Sequence, residues 1–353
     1  MGSKKQQTLV ILTPGFPENE ADTTCLPPRQ TFVRSLRMVN PELNIVILTL
    51  QYPFFSAEYQ WHGIRVISFG TKKKGRLYRL LSIYKVWRSL KMLYKEFEVI
   101  GLLSFWLGKS AFIADRFAKP RQLPHFCWLL GQDAKPGNPY FKRIKPRGEF
   151  LIALSDFIKR EFEKNYGEKP QHVIPVGIDT SIFASEDLER DIDIIGVGSL
   201  IPLKQYHLFL AVVKQLVVFF PALKALICGD GPEMKSLQEI IKKLGLERHV
   251  SLTGSLPHAA VLKLMQRSKV LVHTSSYEGF GTVNLEALYA GAAVVSFVKP
   301  MDLPIPNWYV ASDHDEMVAL VKGILKEQLT NYPKILPYPA AANAKAILQL
   351  FGL

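Results

Sequence analysis

Two glutamates eight residues apart, Glu278 and Glu286, bracket the segment Glu278-Gly-Phe-Gly-Thr-Val-Asn-Leu-Glu286. An apolar run, Val270-Leu-Val-His-Thr274, precedes it, and an Ala- and Leu-rich stretch follows. Read as strand, glycine loop and helix, the order sets one carboxylate on a loop beside a helix N-terminus. The other falls in the first turns of that helix. Free backbone N–H groups and the partial positive charge at such a terminus suit a phosphate. Carboxylates on either side suit sugar hydroxyls, so the segment is expected to hold a nucleotide sugar.

A second loop, Gly198-Ser-Leu-Ile-Pro-Leu-Lys204, follows the apolar run Asp193-Ile-Ile-Gly-Val197. Lys204 is expected to open the next helix, where its ammonium can reach a pyrophosphate. Two better-known phosphate motifs do not fit. Gly196-Val-Gly198 lacks the third glycine of a dinucleotide fingerprint, because Ile201 stands there. Gly108-Lys-Ser110 lacks the leading glycine of a P-loop, where Leu103 stands. Cys228-Gly-Asp-Gly-Pro232 reads as turn chemistry after a strand.

These residues need a scaffold, and the chain alternates short β-branched runs with helical patterns throughout. That alternation means parallel sheets covered by helices on both faces. The series opens at Leu9-Val-Ile-Leu12 and restarts at Asp193 after the acidic link Ser185-Glu-Asp-Leu-Glu-Arg-Asp191. The expected fold class is therefore α/β, with two doubly wound Rossmann-like domains. The first spans 1–185 and the second 186–335, while a helix in 336–353 crosses back to the first. At 353 residues, 48% of them apolar and 21% charged, the chain can bury two ordinary cores. In open sheets the ligand sits beyond the carboxyl ends of the strands, which puts the expected site in a cleft between two such domains.

Charge is uneven. Residues 1–190 hold 29 Lys/Arg against 18 Asp/Glu, while the rest of the chain holds 15 against 13. No acid lies between Glu58 and Glu96, and residues 72–95 carry nine cations, Lys73 among them. Leu80, Tyr84, Trp87, Leu90 and Tyr94 recur at helical spacing, with Lys85, Arg88, Lys91 and Lys95 mainly off that stripe. Such a helix either packs its apolar side on the sheet or lies on an anionic membrane. A second basic run, Lys135 to Arg147, is expected on the acceptor side. No nucleic-acid module accompanies the charge, so nucleic acid is not an expected partner. Three scattered cysteines without a CxxC pair point to a reducing cytoplasm and no zinc ribbon. The first residues lack the apolar core of a signal peptide, and no uncharged apolar run reaches 18 residues.

Taken together, the motifs resemble the retaining family-4 glycosyltransferases of the GT-B fold. Val197-Gly-Ser-Leu200 through Lys204 is similar to that family's phosphate loop and lysine. Ile227 to Pro232 resembles its second-strand turn, Val250 to Leu256 its base-binding strand end, and Glu278 to Glu286 its paired-glutamate motif. Thr13-Pro-Gly15 lies where the family's N-terminal glycine loop approaches the donor. The resemblance implies sugar transfer from a UDP- or GDP-sugar to a hydroxyl of a glycan or lipid-linked acceptor in cell-surface polysaccharide synthesis, with anomeric configuration retained. Lys204, Glu278 and Asp133 are the expected catalytic residues. Gly15, Ser199, Leu256, Gly279, Phe280, Gly281, Thr282 and Glu286 are expected to bind the donor. No metal or cofactor is expected, and the protein is expected in the cytoplasm, peripheral to the inner face of the membrane. Two departures stand out: Ser199 replaces the family's arginine, and Trp128-Leu-Leu-Gly-Gln-Asp133 lacks its histidine, leaving Asp133, Gln132 or His125 to face the donor. The alternatives are a sugar-nucleotide epimerase on the same fold or a non-catalytic subunit that binds sugar nucleotides.

Overall fold

The computed structural model describes residues 5–72, 74–184, 188–327 and 333–353. Lys73 and the first part of the expected acidic link, 185–187, lie outside the described residues. The chain packs as two compact units. One runs to Gly177 and includes Tyr338–Leu353; the other is Ile178–Pro337.

The first unit is built on an eight-stranded sheet: β1 (Gln7–Gly15), β2 (Asn44–Tyr52), β3 (Ser56–Trp61), β4 (Ile64–Phe69), β5 (Glu98–Phe105), β6 (His125–Leu129), β7 (Leu151–Ala153) and β8 (His172–Val173). Its order is β3-β4-β2-β1-β5-β6-β7-β8. All neighbours are parallel except the hairpin β3–β4. Leu9 to Leu12 and Ile45 to Leu48 are buried on both faces, the continuous apolar run that a doubly covered sheet demands.

Helices α1 (Pro27–Val39), α2 (Arg76–Glu96), α3 (Lys109–Ala118), α4 (Pro139–Ile144) and α5 (Asp156–Tyr166) belong to this unit. The last helix of the chain, α11 (Ala340–Leu350), packs against α1. Asn343 donates to the Pro175 carbonyl, and the Phe351 ring meets Phe126 edge-on at 5.1 Å.

Helix α2 turns a different stripe inward than the spacing predicts. Val86, Leu90 and Leu93 are buried with Ser82, and Trp87 packs beside them on the sheet core. Tyr84, expected on the buried face, is 68% exposed, and Tyr94 also faces out. Burying an aliphatic side chain stabilises by roughly 1.5–3 kcal/mol, so Val86, Leu90 and Leu93 together set the rotation. The aromatics are left among Lys85, Arg88, Lys91 and Lys95, which are exposed.

The second unit repeats the plan with β9 (Ile192–Val197), β10 (Ala225–Cys228), β11 (Val250–Leu252), β12 (Ser268–His273), β13 (Ala293–Ser296) and β14 (Trp308–Val310). These parallel strands run in the order β11-β10-β9-β12-β13-β14. Helices α6 (Tyr206–Leu216), α7 (Met234–Leu244), α8 (His258–Gln266), α9 (Thr282–Tyr289) and α10 (His314–Lys326) cover it. Phe209 and Val213 of α6 and Met317 and Val321 of α10 close one core with Val270 and Val272 of β12. The strand order reverses between β9 and β12, and such a switch point opens a crevice at the carboxyl edge of a sheet.

Candidate active site

The loops after β9 and β12, the two strands at the reversal, meet on one histidine. His273 ends β12 and is 4% exposed. Its Nε2 lies 3.4 Å from Lys204 Nζ and 3.4 Å from Glu278 Oε1. Lys204 Nζ also donates directly to Glu278 Oε1. Two further bonds pin the loops together: Thr274 Oγ1 donates to the Lys204 carbonyl at 2.8 Å, and Ser276 N–H donates to the Leu203 carbonyl at 3.3 Å.

Lys204 does not open a helix as expected. It ends a short 3-10 turn, Pro202–Lys204, and left-handed Gln205 (φ 51°) separates it from α6. The break lets the lysine fold back toward β12 instead of pointing along a helix.

The charges at this cluster are fixed by competition between burial and pairing. Burial alone pushes the Glu278 carboxyl up. The His273 and Lys204 contacts outweigh it and hold Glu278 at about 2. Burial pulls His273 below its ordinary value, helped by the Lys204 charge and opposed by Glu278. Near neutral pH Glu278 is thus a carboxylate and His273 a neutral imidazole. With its Nε2 facing Glu278, the His273 Nδ1 has no hydrogen-bond partner.

The glycine loop before α9 is a structural requirement. Gly281 caps the helix at φ 79°, and a Cβ there would stand 2.6 Å from Asn284 Nδ2. Gly281 also lies beside His273, whose Cε1 would be 3.9 Å from that Cβ. Lys204, Glu278, Gly198 and Gly281 therefore converge, since a Cβ on Gly198 would meet the Lys204 chain at 3.4 Å. Glu286 sits on α9, about 6 Å along the axis from Thr282 at 1.5 Å rise per residue. Its Oε1 pairs with His258 Nε2, at the start of α8, at 2.9 Å. Gly229 presses so closely on the Gly198 carbonyl that a Cβ would lie 1.9 Å from that oxygen. The Cys228–Pro232 turn thus buttresses the loop after β9.

Other expected donor-site residues take varied places. Ser199 is exposed on the loop after β9, and Leu256 is half-buried on the loop between β11 and α8. Gly279 and Thr282 are half-buried around Gly281. The Phe280 side chain is 1% exposed and packs edge-on against Trp308 at 6.0 Å, so it anchors the loop in the core. Gly15, in the first unit, is buried at the end of β1, opposite Tyr52.

Asp133, expected among the catalytic residues, has its carboxylate held by the loop around it. Oδ2 accepts from Leu107 N–H at 2.9 Å, and Oδ1 accepts from Leu130 and Gly131 at 3.0 and 2.9 Å. Burial pushes its pKa up, and these backbone donors only partly offset that. Buried Arg29, stacked 4.9 Å from the Trp128 ring, lies close enough for its charge to act on Asp133. Asp133 holds the strand-end loops of β5 and β6 together. The His125 ring is bonded to Ser104 Oγ at 2.9 Å.

Sequence reasoning missed His273 and His258. Both are single histidines with no ligand-like spacing, and only the fold brings each to a glutamate. Among the described residues no group of three or more His, Cys, Asp or Glu side chains is placed to hold a metal ion.

Known proteins resemble the chain in sequence and in fold. Residues 178–302 match the family described as Glycosyl transferases group 1. Over 183 residues the chain is 26% identical to a phosphatidylinositol N-acetylglucosaminyltransferase component of Arabidopsis thaliana, covering 48% of this chain and 40% of that protein. Over 113 residues it is 33% identical to the gpi3 component of the Schizosaccharomyces pombe enzyme of the same name, covering 32% of this chain and 24% of that protein. The chain thus spans well under two thirds of these relatives. Sucrose-phosphate synthase from Thermosynechococcus elongatus superposes with a TM-score of 0.68 at 15% identity, over 98% of this chain and 96% of that one. Anabaena HepE in complex with UDP and glucose gives 0.67 at 17% identity, over 98% and 97%. At such identities the likeness is one of fold. The chain has the GT-B fold, and its residues 178–302 are similar to the group 1 glycosyltransferases.

Proposed function

We propose that the protein is a retaining glycosyltransferase that moves a sugar from a UDP- or GDP-sugar to a hydroxyl of a glycan or lipid-linked acceptor. The observation that carries this reading is the Lys204–His273–Glu278 cluster at the strand-order reversal. Transfer requires neutralising a departing diphosphate and steadying positive charge on the sugar ring. Lys204 supplies the first charge, together with the N-terminus of α9. Its ammonium exchanges Glu278 for the pyrophosphate. Glu278, ionised and steered by His273, is then released to the sugar hydroxyls and the oxocarbenium-like centre. Glu286 accepts the ribose hydroxyls, braced by His258. The loop at Leu256 offers backbone groups to the base. On this reading no metal is needed for the leaving group.

Two sets of facts support the donor and acceptor classes. The relatives are named as components of phosphatidylinositol N-acetylglucosaminyltransferases, and a solved neighbour holds UDP and glucose. On the first unit, exposed Leu81, Tyr84, Met92 and Tyr94 of α2 lie among exposed cations, which suits docking on an anionic inner membrane face. Among the described residues no helix is long and apolar enough to cross a membrane. The reading places the protein in the cytoplasm, peripheral to that face, in cell-surface polysaccharide synthesis.

The test is a transfer assay with a panel of UDP- and GDP-sugars, followed by NMR of the product anomer. Lys204→Ala and Glu278→Ala are each expected to lose at least ~10² in rate while melting as folded proteins. Full activity in both variants contradicts the assignment. Exposed Ser199, where a cation is usual, favours the second reading of a sugar-nucleotide-binding protein without turnover. Tight nucleotide binding with no product on any acceptor selects it. An epimerase converts the sugar nucleotide alone, which the same NMR detects. Co-sedimentation with anionic vesicles at low salt, lost at high salt, is the expected outcome for α2.

A further inference from the structure

The crossover from β6 to β7 covers its sheet poorly. Its helix, α4, has six residues, roughly 9 Å of length, against about 17 Å for the five-residue strand β6. Beneath the gap lies a cavity of about 460 Å³, within the range of sites that enclose a small ligand. It is no part of the cluster in the second unit. Leu107, Ala111, Ala118, Leu123 and Ile144 form apolar walls. Cys127 lies on the floor, a buried free thiol.

Two polar features make this more than a packing defect. Asp115 faces the cavity from α3, 8% exposed, and its Oδ2 has no hydrogen-bond partner. A buried acceptor left bare is costly, and a ligand donor can recover that cost. The cavity is also bordered by Lys119, Lys145 and Arg147. Lys119 pairs with Asp115 at 3.2 Å, and Arg147 with Glu149 at 2.7 Å. Cations continue past this border. Arg121, two residues beyond Lys119, lines a neighbouring groove with Arg88, Lys91 and Lys95 of α2, alongside Glu96.

We propose that this cavity binds a single-chain amphiphile drawn from a membrane, its alkyl or isoprenoid chain against α3 and β6 and its anionic, hydroxyl-bearing head at Lys119, Lys145 and Arg147. The head hydroxyl donates to Asp115 Oδ2. The site deepens the membrane reading of α2, because the border cations and the α2 cations meet at Arg121. It is assayed without vesicles, sugar nucleotide or acceptor, so its failure leaves the transfer reading intact.

The experiment is calorimetric titration of the full chain with a monoacyl glycerol phosphate below its micelle concentration. Monoacylglycerol, glycerol 3-phosphate and inorganic phosphate are parallel probes. Saturable 1:1 binding of the monoacyl glycerol phosphate is expected, with the neutral homologue at least tenfold weaker and the two chain-free phosphates weaker still. Lys145→Gln with Arg147→Gln, both on the surface, is expected to raise the dissociation constant about tenfold. Ala111→Leu is expected to abolish binding by filling the cavity, and its melting curve checks that it folds. No saturable binding to wild type overturns the proposal. So does equal binding of the neutral homologue, binding of free phosphate as tight as the amphiphile, or binding unchanged in both variants.

Discussion

Each unit of this protein buries an acid beyond the carboxyl end of its sheet, and the two acids are held in opposite ways. Glu278 is gripped by side chains, Lys204 and His273, and is held near 2. Asp133 is gripped by the backbone N–H groups of Leu107, Leu130 and Gly131, and its pKa is pushed up. Backbone donors are fixed in place, so the acid they hold serves to shape a loop. Side-chain partners can swing, so the acid they hold can be handed to a ligand. On the proposed reading, the nature of the donor, more than burial, separates a structural carboxylate from one available to chemistry.

Substituting each acid by its amide sharpens the contrast. Glu278→Gln is expected to lose at least ~10² in transfer rate while remaining folded at neutral pH. Asp133→Asn is expected to lose roughly 1–3 kcal/mol of stability, because one amide N–H opposes a backbone N–H, while the folded fraction keeps its turnover. Denaturant titration and single-turnover assays on both variants check this. A catalytic loss in Asp133→Asn without destabilisation breaks the comparison.

Acid titration is the next effect in size. A depressed carboxyl contributes stability above its unfolded value, and that stability disappears as pH falls through the folded value. For Glu278 the window runs from its unfolded value of 4.5 down to about 2. Wild type is expected to exceed Glu278→Gln by at most about 3 kcal/mol at neutral pH, with the gap closing across that window. Asp133 has the reverse sign: its raised pKa favours the folded state in acid, and the advantage is lost as pH rises through the folded value. Urea unfolding of the two amide variants at pH 2 to 7 measures both slopes.

The smallest effect belongs to His258. On the proposed reading its bond to Glu286 orients the carboxylate that meets the ribose, away from the reacting atoms. His258→Asn is expected to weaken nucleotide binding three- to tenfold, about 1 kcal/mol, with kcat nearly unchanged. Titration of UDP and GDP into the variant checks it.

Much of this was legible before any coordinates. Continuous apolar runs such as Leu9-Val-Ile-Leu12 and Val270-Leu-Val-His273 announce doubly covered parallel strands, and Gly281 between two acids announces a loop and helix start. β3 was not legible. Ser56-Ala-Glu-Tyr-Gln-Trp61 is an edge strand with exposed alternate positions, made by its pairing with β4. The inward stripe of α2 was misread because Tyr84 and Tyr94 stand at the same spacing as Leu90, and periodicity cannot tell an aromatic in a core from one on a surface. The bonds that tie Asp133 to its loop are tertiary, and so are the pairings of His273 and His258 with their glutamates. None of these leaves a trace in spacing.

Transfer on the proposed reading requires Lys204 to leave Glu278 for a pyrophosphate. Calorimetric titration of wild type, Lys204→Ala and Glu278→Ala with UDP, GDP and their sugar conjugates tests this most directly. One base is expected to bind wild type and to bind Lys204→Ala at least tenfold more weakly. For Glu278→Ala, the bare diphosphate is expected to keep or gain affinity, while the sugar conjugate loses its advantage over it. Equal affinity in all three proteins, or binding of no nucleotide by wild type, contradicts the account.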